Sequence, residues 1–300
     1  MLQQHEVRKS AEALSVAAAA ACLVMPMAVV STGCKKNPLP EPQATHVEKQ
    51  ETTAAWQGAT MPARHLYAGL PVVSNRTTLV ITNIGFISGY DKERLSPSYV
   101  CYQLFPIGPV GSRVDIEDRP GSFTDGDLYG LRMPNNPLSH TGFDHGHLAP
   151  NYAIASRYGR EAQKETFFMW NIVPQVPDHN RRTWKYLEAL EADRIANGAV
   201  LWVVDGPVFD SHQEFALKRN GTSTGIEVPD ELYKIWLRQE NDSITIQAFI
   251  IPQSAKPTDN FSQFLKTVRE VEQATGINFF SELPDELESR IEQQRSERVW

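Results

Sequence analysis

Runs of β-branched and aromatic residues recur along the chain and predict the strands of a sheet. TLVITNIGFISGY (78–90) and PSYVCYQLFPI (97–107) are separated by a short polar stretch, which is typical of two paired strands. GAVLWVVDGPVF (198–209) is almost continuously apolar, which favours a buried central strand. ELYKIWLRQ (231–239) and DSITIQAFIIP (242–252) predict a further hairpin.

Helical periodicity appears between and after these runs. In residues 180–198, Trp184 and Leu187 fall on one apolar side, which predicts an amphipathic helix. Residues 260–276 predict a second helix, and the charged tail from Pro284 predicts a third. Strands in groups with helices between them indicate an α+β domain around a mostly antiparallel central sheet flanked by helices.

The N-terminal segment, residues 1–34, has the pattern of an export signal. Arg8 and Lys9 precede an alanine-rich apolar run that ends in STGC, followed by a polar stretch. STGC resembles a bacterial lipoprotein cleavage site, at which Cys34 becomes the lipidated first residue, although Ser31 departs from the usual aliphatic residue. A lipoprotein signal, a cleaved signal and a retained anchor all stay open, and each places the protein outside the cytoplasm, in the periplasm or at the cell surface.

Residues 35–64 are polar, proline-rich and without periodicity, which predicts a flexible tether to a single domain, residues 65–300. The net charge of −7 argues against a general basic coat for nucleic acid, although it leaves a local basic groove open. The three cysteines do not form a disulfide framework. Cys101 lies in an apolar run and is expected to be buried on a strand.

Two segments carry candidate chemistry: FDHGHLAPN (143–151) and TFFMWNIVPQVPDHNRRTWKYLE (166–188). Taken alone, an Asp-His-Gly-His stretch is typical of a hydrogen-bonded turn, and an asparagine before a helix is typical of a cap. Together, the segments resemble the DNA/RNA non-specific endonucleases, the ββα-metal family that includes secreted bacterial nucleases and endonuclease G. The residues of the second segment that follow the family pattern are Asn171, Pro174, Gln175, Asn180, Trp184, Leu187 and Glu188.

Further stretches extend the resemblance over Gly69 to Pro252: GLPVV (69–73), YVCYQL (99–104), DGPVF (205–209) and VPDELYK (228–234). The resemblance implies a ββα-metal nuclease fold and hydrolysis of phosphodiester bonds in DNA, RNA or both, leaving 5′-phosphate ends. The substrate is expected to bind through phosphate contacts, which carry no base information. Contact with a membrane is expected only through the N-terminal lipid or anchor.

The resemblance also implies roles for individual residues. His147 corresponds to the general base that deprotonates the attacking water, a task suited to an imidazole that is neutral near pH 7. Asn180 corresponds to the protein ligand of a hydrated Mg²⁺, with Mn²⁺ as a substitute. Asp144 is expected to orient its surroundings without touching substrate. Glu188, eight positions after Asn180, is expected to act on metal-bound water or on a basic partner rather than on the ion directly.

The chain departs from the family at His145, where the family usually has an arginine that helps to hold the phosphate. Histidine is shorter and mostly neutral at pH 7, so one charge-assisted contact is expected to be lost or taken over by another residue. Arg119, followed by Phe123 and Asp125, is the favoured match to an upstream arginine of the family, with Arg113 as the alternative.

Two alternatives from other classes remain. Because paired imidazoles suit zinc, His145 and His147 with Asp144 or His179 predict a zinc hydrolase site in the first alternative. In the second, the replacement of arginine by His145 indicates a catalytically weak lipoprotein that keeps the fold as a binding module. The metal requirement separates the first from a magnesium nuclease, and a nicking assay with and without EDTA separates the second.

Overall fold

The computed structural model describes residues 63–109, 112–124, 136–195, 199–209, 216–240 and 243–299. In this part of the chain the strands are β1 (Val72–Val73), β2 (Thr78–Thr82), β3 (Ile87–Asp91), β4 (Ser96–Leu104), β5 (Asp144–His147), β6 (Ile172–Gln175), β7 (Val200–Val208), β8 (Ala216–Arg219), β9 (Thr222–Glu227), β10 (Glu231–Glu240), β11 (Ser243–Pro252), β12 (Leu265–Lys266) and β13 (Ile277–Asn278).

The α-helices of the described residues are α1 (Asn151–Glu165), α2 (Lys185–Arg194), α3 (Val268–Thr275) and α4 (Asp285–Glu292). Short 3₁₀-helices form at Ala63–His65, Met169–Asn171 and Phe261–Phe264, and a π-helix forms at His179–Trp184. The described residues all lie in the unit Trp56–Trp300. Among them, no helix has both the length and the apolar composition to cross a membrane.

The central sheet has the strand order β12-β11-β10-β7-β4-β3-β2 within the described residues, and each neighbouring pair is antiparallel. The predicted apolar strand β7 lies between β4 and β10, as its composition indicated. The predicted hairpin of β10 and β11 is confirmed, with Glu240 paired to Ser243. These observations agree with the expected α+β architecture around a mostly antiparallel sheet.

Alternation along each strand divides the core into two layers, one on each face of the sheet. On β10, Leu232 and Trp236 pack into one layer, whereas Tyr233 and Ile235 pack into the other. Helix α2 and strands β5 and β6 cover the first layer, to which Trp184 and Leu187 contribute fully buried side chains. The apolar side predicted for this helix therefore faces the core.

Two element predictions were wrong. Residues 78–90 form two strands rather than one, because the chain reverses where the Asn83 N–H donates to the Phe86 carbonyl at 2.9 Å. Residues 260–276 do not form one helix. Leu265–Lys266 pairs with β11, and α3 starts only at Val268 because Thr267 and Glu270 cap it reciprocally.

The predicted export signal, the cysteines at positions 22 and 34, and the predicted tether up to residue 62 lie outside the described residues. The domain boundary at residue 65 stays a prediction. Cys101 is buried on β4 with a free thiol, as expected. Helix α1 and the β8–β9 pair have no counterpart in the sequence predictions. The long connection between β5 and β6 contains α1, which makes that helix part of the site's scaffold.

Candidate active site

The DHGH stretch is a β-strand, so the expectation of a turn there was wrong. It forms β5, which pairs antiparallel with β6 in the register Asp144 to Gln175 and His147 to Ile172. The π-helix and α2 follow β6 directly, so the unit is two strands and a helix. Gly146 is required at its position because a Cβ atom there would lie 2.2 Å from Oε1 of Gln175.

His145 and His147 lie on the same side of β5 against an aromatic wall. The His145 ring stacks on Phe123 with a centroid distance of 4.0 Å and an interplanar angle of 7°. The His147 ring meets Phe123 and Phe167 edge-on, at 5.6 and 4.9 Å. Nε2 of each histidine is buried without a hydrogen-bond partner among the described residues. Both imidazoles are therefore held by packing and keep a free nitrogen.

Arg119, the favoured match to the family arginine, lies on the same aromatic wall. Its Cζ is 5.3 Å from the centre of the Phe167 ring, and the residue is exposed. Within the described residues its guanidinium has no ion-pair partner, so an incoming anion would not have to displace a carboxylate. Arg113 is also exposed. Asp125 lies outside the described residues.

The segment that carries Arg119 is tied to α1 and to the chain before β6. The Glu117 carbonyl accepts a hydrogen bond from the Gln163 side chain at 3.0 Å. Farther along, the Thr124 N–H donates to the Phe167 carbonyl at 3.2 Å, and the Thr124 carbonyl accepts from Met169 at 2.9 Å. The segment has little regular structure, so these tertiary contacts fix the position of the arginine.

Burial keeps both histidines neutral. Desolvation, reinforced by the charge of Arg119, lowers the pKa of His147 to about 3. Desolvation also lowers the pKa of His145 to about 4, against the opposing pull of Asp144. A neutral imidazole with an unpartnered nitrogen can accept a proton, and the low pKa means that it retains this proton weakly.

Asp144 connects β5 to the helix that follows β6. Its carboxylate accepts a hydrogen bond from Nδ2 of Asn180 at 2.9 Å and two from Arg181, at 2.8 and 2.7 Å. Asn180 lies inside the π-helix rather than at a cap, and its backbone N–H donates to Val176. The expectation that Asp144 orients a neighbour agrees with this geometry. Single-turn π-helical insertions occur often at functional sites.

Two further polar residues of the segment 166–188, Asn171 and Gln175, are buried and hold the backbone and side chains around the site in place. Gln175, which covers Gly146, contacts Nδ1 of His179 at 2.7 Å, one residue before Asn180. Asn171 is fully buried, and it donates to the carbonyls of Ala149 and Thr166 and accepts from Ala149. The pairing of Gln175 with His179 was not predicted from the sequence. Its only sequence signal is the four-residue spacing.

Glu188 is half-buried in the first turn of α2, and its carboxylate has no hydrogen-bond partner among the described residues. Desolvation raises its pKa to about 8, against the opposing charge of Lys234, while Glu191 and Asp205 raise it further. Glu188 therefore interacts electrostatically with the basic residue Lys234, and its catalytic role stays a prediction. The structure does not link it to Asn180 by a hydrogen bond.

The group beside Glu188 is a fully buried ion cluster between α2 and the sheet, which the sequence analysis missed. Nζ of Lys234 lies 2.7 Å from Glu191, 2.8 Å from Asp205 and 3.0 Å from the Tyr102 hydroxyl. Lys234 and Asp205 are direct partners on β10 and β7. Each of these residues lies in an apolar stretch of sequence or on a helix, so no local pattern identifies the cluster.

The donor set of the site suits a hydrated, oxygen-preferring ion better than zinc. Nδ2 of Asn180 is engaged by Asp144, whereas its Oδ1 has no hydrogen-bond partner among the described residues. A single amide oxygen fits Mg²⁺, which keeps several of its waters. The described part of the chain contains no group of three His, Cys, Asp or Glu side chains that could hold a metal. His179, which the zinc alternative offered as a ligand in place of Asp144, contacts Gln175 through Nδ1.

Comparison with known proteins gives a family and several relatives. The family described as DNA/RNA non-specific endonuclease matches residues 62–286, well over half of the chain. The mitochondrial nuclease EXOG of Xenopus laevis is 29% identical over 206 residues, covering 65% of this chain and 56% of that protein. A nuclease of Nostoc sp. is 28% identical over 242 residues, covering 76% of this chain and 84% of that protein.

A solved structure, described as that of an EndoG/EndoGI complex and a mechanism of EndoG inhibition, contains a chain with the same fold. It superposes with a TM-score of 0.58 at 20% identity, covering 75% of this chain and 94% of that one. The predicted ββα-metal fold class is thereby confirmed. The chain spans between 43% and 60% of the length of the first four curated relatives that it matches.

Proposed function

Because the chain belongs to the DNA/RNA non-specific endonuclease family, we propose that it is a Mg²⁺-dependent, sugar-non-specific endonuclease that hydrolyses phosphodiester bonds of DNA and RNA. His147 is the general base and Asn180 is the metal ligand in this proposal. The observation that supports it is that one unit, formed by β5, β6 and the helix after them, carries both residues. In this unit the Asp144 carboxylate joins the strand of His147 to the side chain of Asn180.

His147 starts the reaction. Its free Nε2 takes a proton from a water molecule, and the water oxygen attacks the phosphorus in line with the leaving 3′ oxygen. The bond from phosphorus to the 3′ oxygen breaks, and that oxygen takes a proton from a second water molecule, which leaves a 5′-phosphate and a 3′-hydroxyl. Arg119, which has no ion-pair partner in the described part of the chain and is held on Phe167, binds a non-bridging oxygen of the phosphate. The neutral His145 adds a hydrogen-bonding nitrogen but no charge.

Asn180 would hold the magnesium ion through Oδ1, and Mn²⁺ could take its place. A metal ion bound there would supply positive charge to stabilise the phosphate and the leaving oxygen. Asp144 orients the amide of Asn180 and neutralises the charge of Arg181. Because Arg181 in turn fixes the Asp144 carboxylate, it supports the metal ligand Asn180 indirectly. Glu188 lies farther along the same helical unit, where it acts on metal-bound water or on its basic neighbour Lys234.

A nicking assay on supercoiled plasmid and on RNA tests the proposal. The purified protein should cut both, lose activity in EDTA, and regain it with Mg²⁺ or Mn²⁺. Replacing the base in His147→Ala should lower the rate by about 10²–10⁴. Recovery with Zn²⁺ but not Mg²⁺ would favour the zinc hydrolase. Absence of cutting in every metal would favour the catalytically weak binding module.

The proposal includes export and a lipid anchor at Cys34, supported by the basic, apolar and small-residue order of residues 1–34. Growth with a radiolabelled fatty acid should label the wild-type protein and not the Cys34→Ser variant. A shortened, unlabelled protein would indicate a cleaved signal. A full-length, unlabelled and membrane-bound protein would indicate a retained anchor.

A further inference from the structure

A cleft of about 310 Å³ lies between α2 and the C-terminal segment, outside the site described above. From the helix it is lined by Tyr186, Leu190 and Arg194, which follow one another at four-residue spacing on one face. Phe261 and Arg298 line it from the other side. Its volume lies at the lower end of the range for sites that bind small molecules.

Aromatic rings form the apolar part of this cleft. The Tyr186 and Phe261 rings are 5.1 Å apart at 40°, yet Tyr186 remains 49% exposed while Phe261 is almost fully buried. Phe261 in turn packs edge-on against Phe264 at 5.9 Å. Tyr186 therefore presents a ring that is supported from beneath and open to solvent, which is the arrangement on which a planar group can stack.

The charged part of the cleft is basic. Arg194 and Arg298 form no ion pair with any described residue, and Nε of Arg194 is buried without a hydrogen-bond partner there. The one acidic residue in the lining, Asp259, accepts a hydrogen bond from the backbone of Lys256. On a chain of net charge −7, the guanidinium groups of Arg194 and Arg298 form a local site for anions, of the kind that composition alone leaves open.

The cleft continues along the helical unit that carries the metal ligand. Tyr186 follows Asn180 by six residues, a rise of about 9 Å along a helix. Arg182 lies between them, exposed and paired with Asp178 at 3.2 Å. Six residues also turn a helix by about 240°, so Tyr186 and Asn180 lie on different faces of the helical unit. A strand cut beside Asn180 must therefore follow the helix surface for several nucleotides to reach Tyr186.

We propose that this cleft is a nucleotide subsite, in which an unpaired base of the substrate strand stacks on Tyr186 while Arg194 and Arg298 bind the adjoining phosphates. The inference rests on the proposed nuclease function and adds to it a preference for unpaired strands. A base must leave its duplex partner to stack on Tyr186, so the subsite favours single-stranded DNA, RNA and frayed ends over intact duplex. A site of this kind tolerates any sequence, since every base offers a face for stacking.

Binding and cleavage are measured separately. Oligonucleotides of increasing length that carry 2-aminopurine report stacking by fluorescence quenching, and anisotropy gives their Kd in EDTA with the full-length His147→Ala protein. In that background, Tyr186→Ala should weaken binding of a long single strand by about 5- to 100-fold and abolish the quenching. Tyr186→Phe, the matched control, should behave like the parent because it keeps the ring.

Two further measurements test specificity of the effect. Arg298→Gln should reduce the slope of log Kd against log salt by about 0.7, the value for one phosphate contact to a single strand. In the otherwise wild-type enzyme, Tyr186→Ala should raise KM for a long single strand. The kcat of the Tyr186→Ala variant on thymidine 5′-monophosphate p-nitrophenyl ester, a phosphodiester too short to reach Tyr186, should equal that of the wild type.

Equal binding and equal quenching by the Tyr186→Ala and Tyr186→Phe variants would overturn the subsite. A loss of affinity in Tyr186→Ala that is equally large for duplex and for single strand would also overturn it. A change in sedimentation on Tyr186→Ala, with unchanged oligonucleotide binding, would overturn it in favour of a contact between two copies of the chain. Failure of the proposed function gives a different result. The wild-type protein then cuts neither the ester nor DNA. The oligonucleotide binding measured in EDTA still shows whether the subsite exists.

Discussion

Replacing the buried lysine in Lys234→Met should destabilise the protein strongly, because two buried carboxylates would lose the only ion-pair partner that they have within the described residues. Lys234 is fully buried, with Glu191 at 2.7 Å and Asp205 at 2.8 Å, and its Nζ lies 4.7 Å from the centre of the Trp184 ring. Methionine fills a similar volume, so little of the effect should come from a cavity.

The magnitude follows from the cost of an unpaired buried charge. Removing one partner of a buried ion pair typically costs about 3–5 kcal/mol of unfolding free energy. In a domain of this size each kcal/mol lowers Tm by about 2–4 °C, so the midpoint should fall by about 6–20 °C. The loss should exceed the contribution of an exposed ion pair, which is about 0–1 kcal/mol.

The loss should also depend on pH. Burial and Glu191 raise the pKa of Asp205 to about 6, against the opposing charge of Lys234. A carboxyl with a raised pKa contributes most to folding when protonated and loses that contribution as pH rises through 6. Without Lys234 this pKa rises further. The variant should therefore be closer to the wild type at pH 5, where Asp205 is neutral, than at pH 8.

Urea unfolding followed by tryptophan fluorescence at pH 5 and pH 8 measures both effects. The control is Lys218→Met, which removes the charge of an exposed lysine on β8 and should change the unfolding free energy by less than about 0.5 kcal/mol. A loss below about 1 kcal/mol at pH 8 would refute the reasoning that Lys234 neutralises the cluster. A loss of the same size at both pH values would refute the assignment of the cost to unpaired carboxylates.

Three further predictions concern the site itself. Asp144→Asn removes the charge that holds Arg181, so the Mg²⁺ concentration for half-maximal activity should rise about 10- to 100-fold with an unchanged circular dichroism spectrum; an unaltered metal titration would contradict this. Because burial lowers the pKa of His147 to about 3, the base stays neutral from pH 5 to pH 8, and the profile of log kcat/KM should show no acid limb near 6.5. Gly146→Ala forces the Gln175 side chain to move, which should cost about 1–3 kcal/mol in urea unfolding, and a neutral effect would show that the strand can shift.

Much of the fold was predictable because its strands carry local patterns. The apolar run of β7 and the paired runs of β10 and β11 are long, so their type and pairing followed from composition. Predictions failed where a short signal interrupts such a run. The turn at Asn83 splits one apolar stretch into β2 and β3, and the capping pair of Thr267 and Glu270 delays α3.

By itself, the sequence determined the family and the candidate residues, since His147, Asn180 and their neighbours occur in a fixed order along the chain. Only the tertiary structure decided how they are held. The DHGH stretch became a strand because β6 pairs with it, and Arg119 reached Phe167 through a segment with little local pattern. The ion cluster at Lys234 joins residues 132 and 43 positions apart. Periodicity reports which face of an element is apolar, whereas contacts between distant elements depend on how those faces pack.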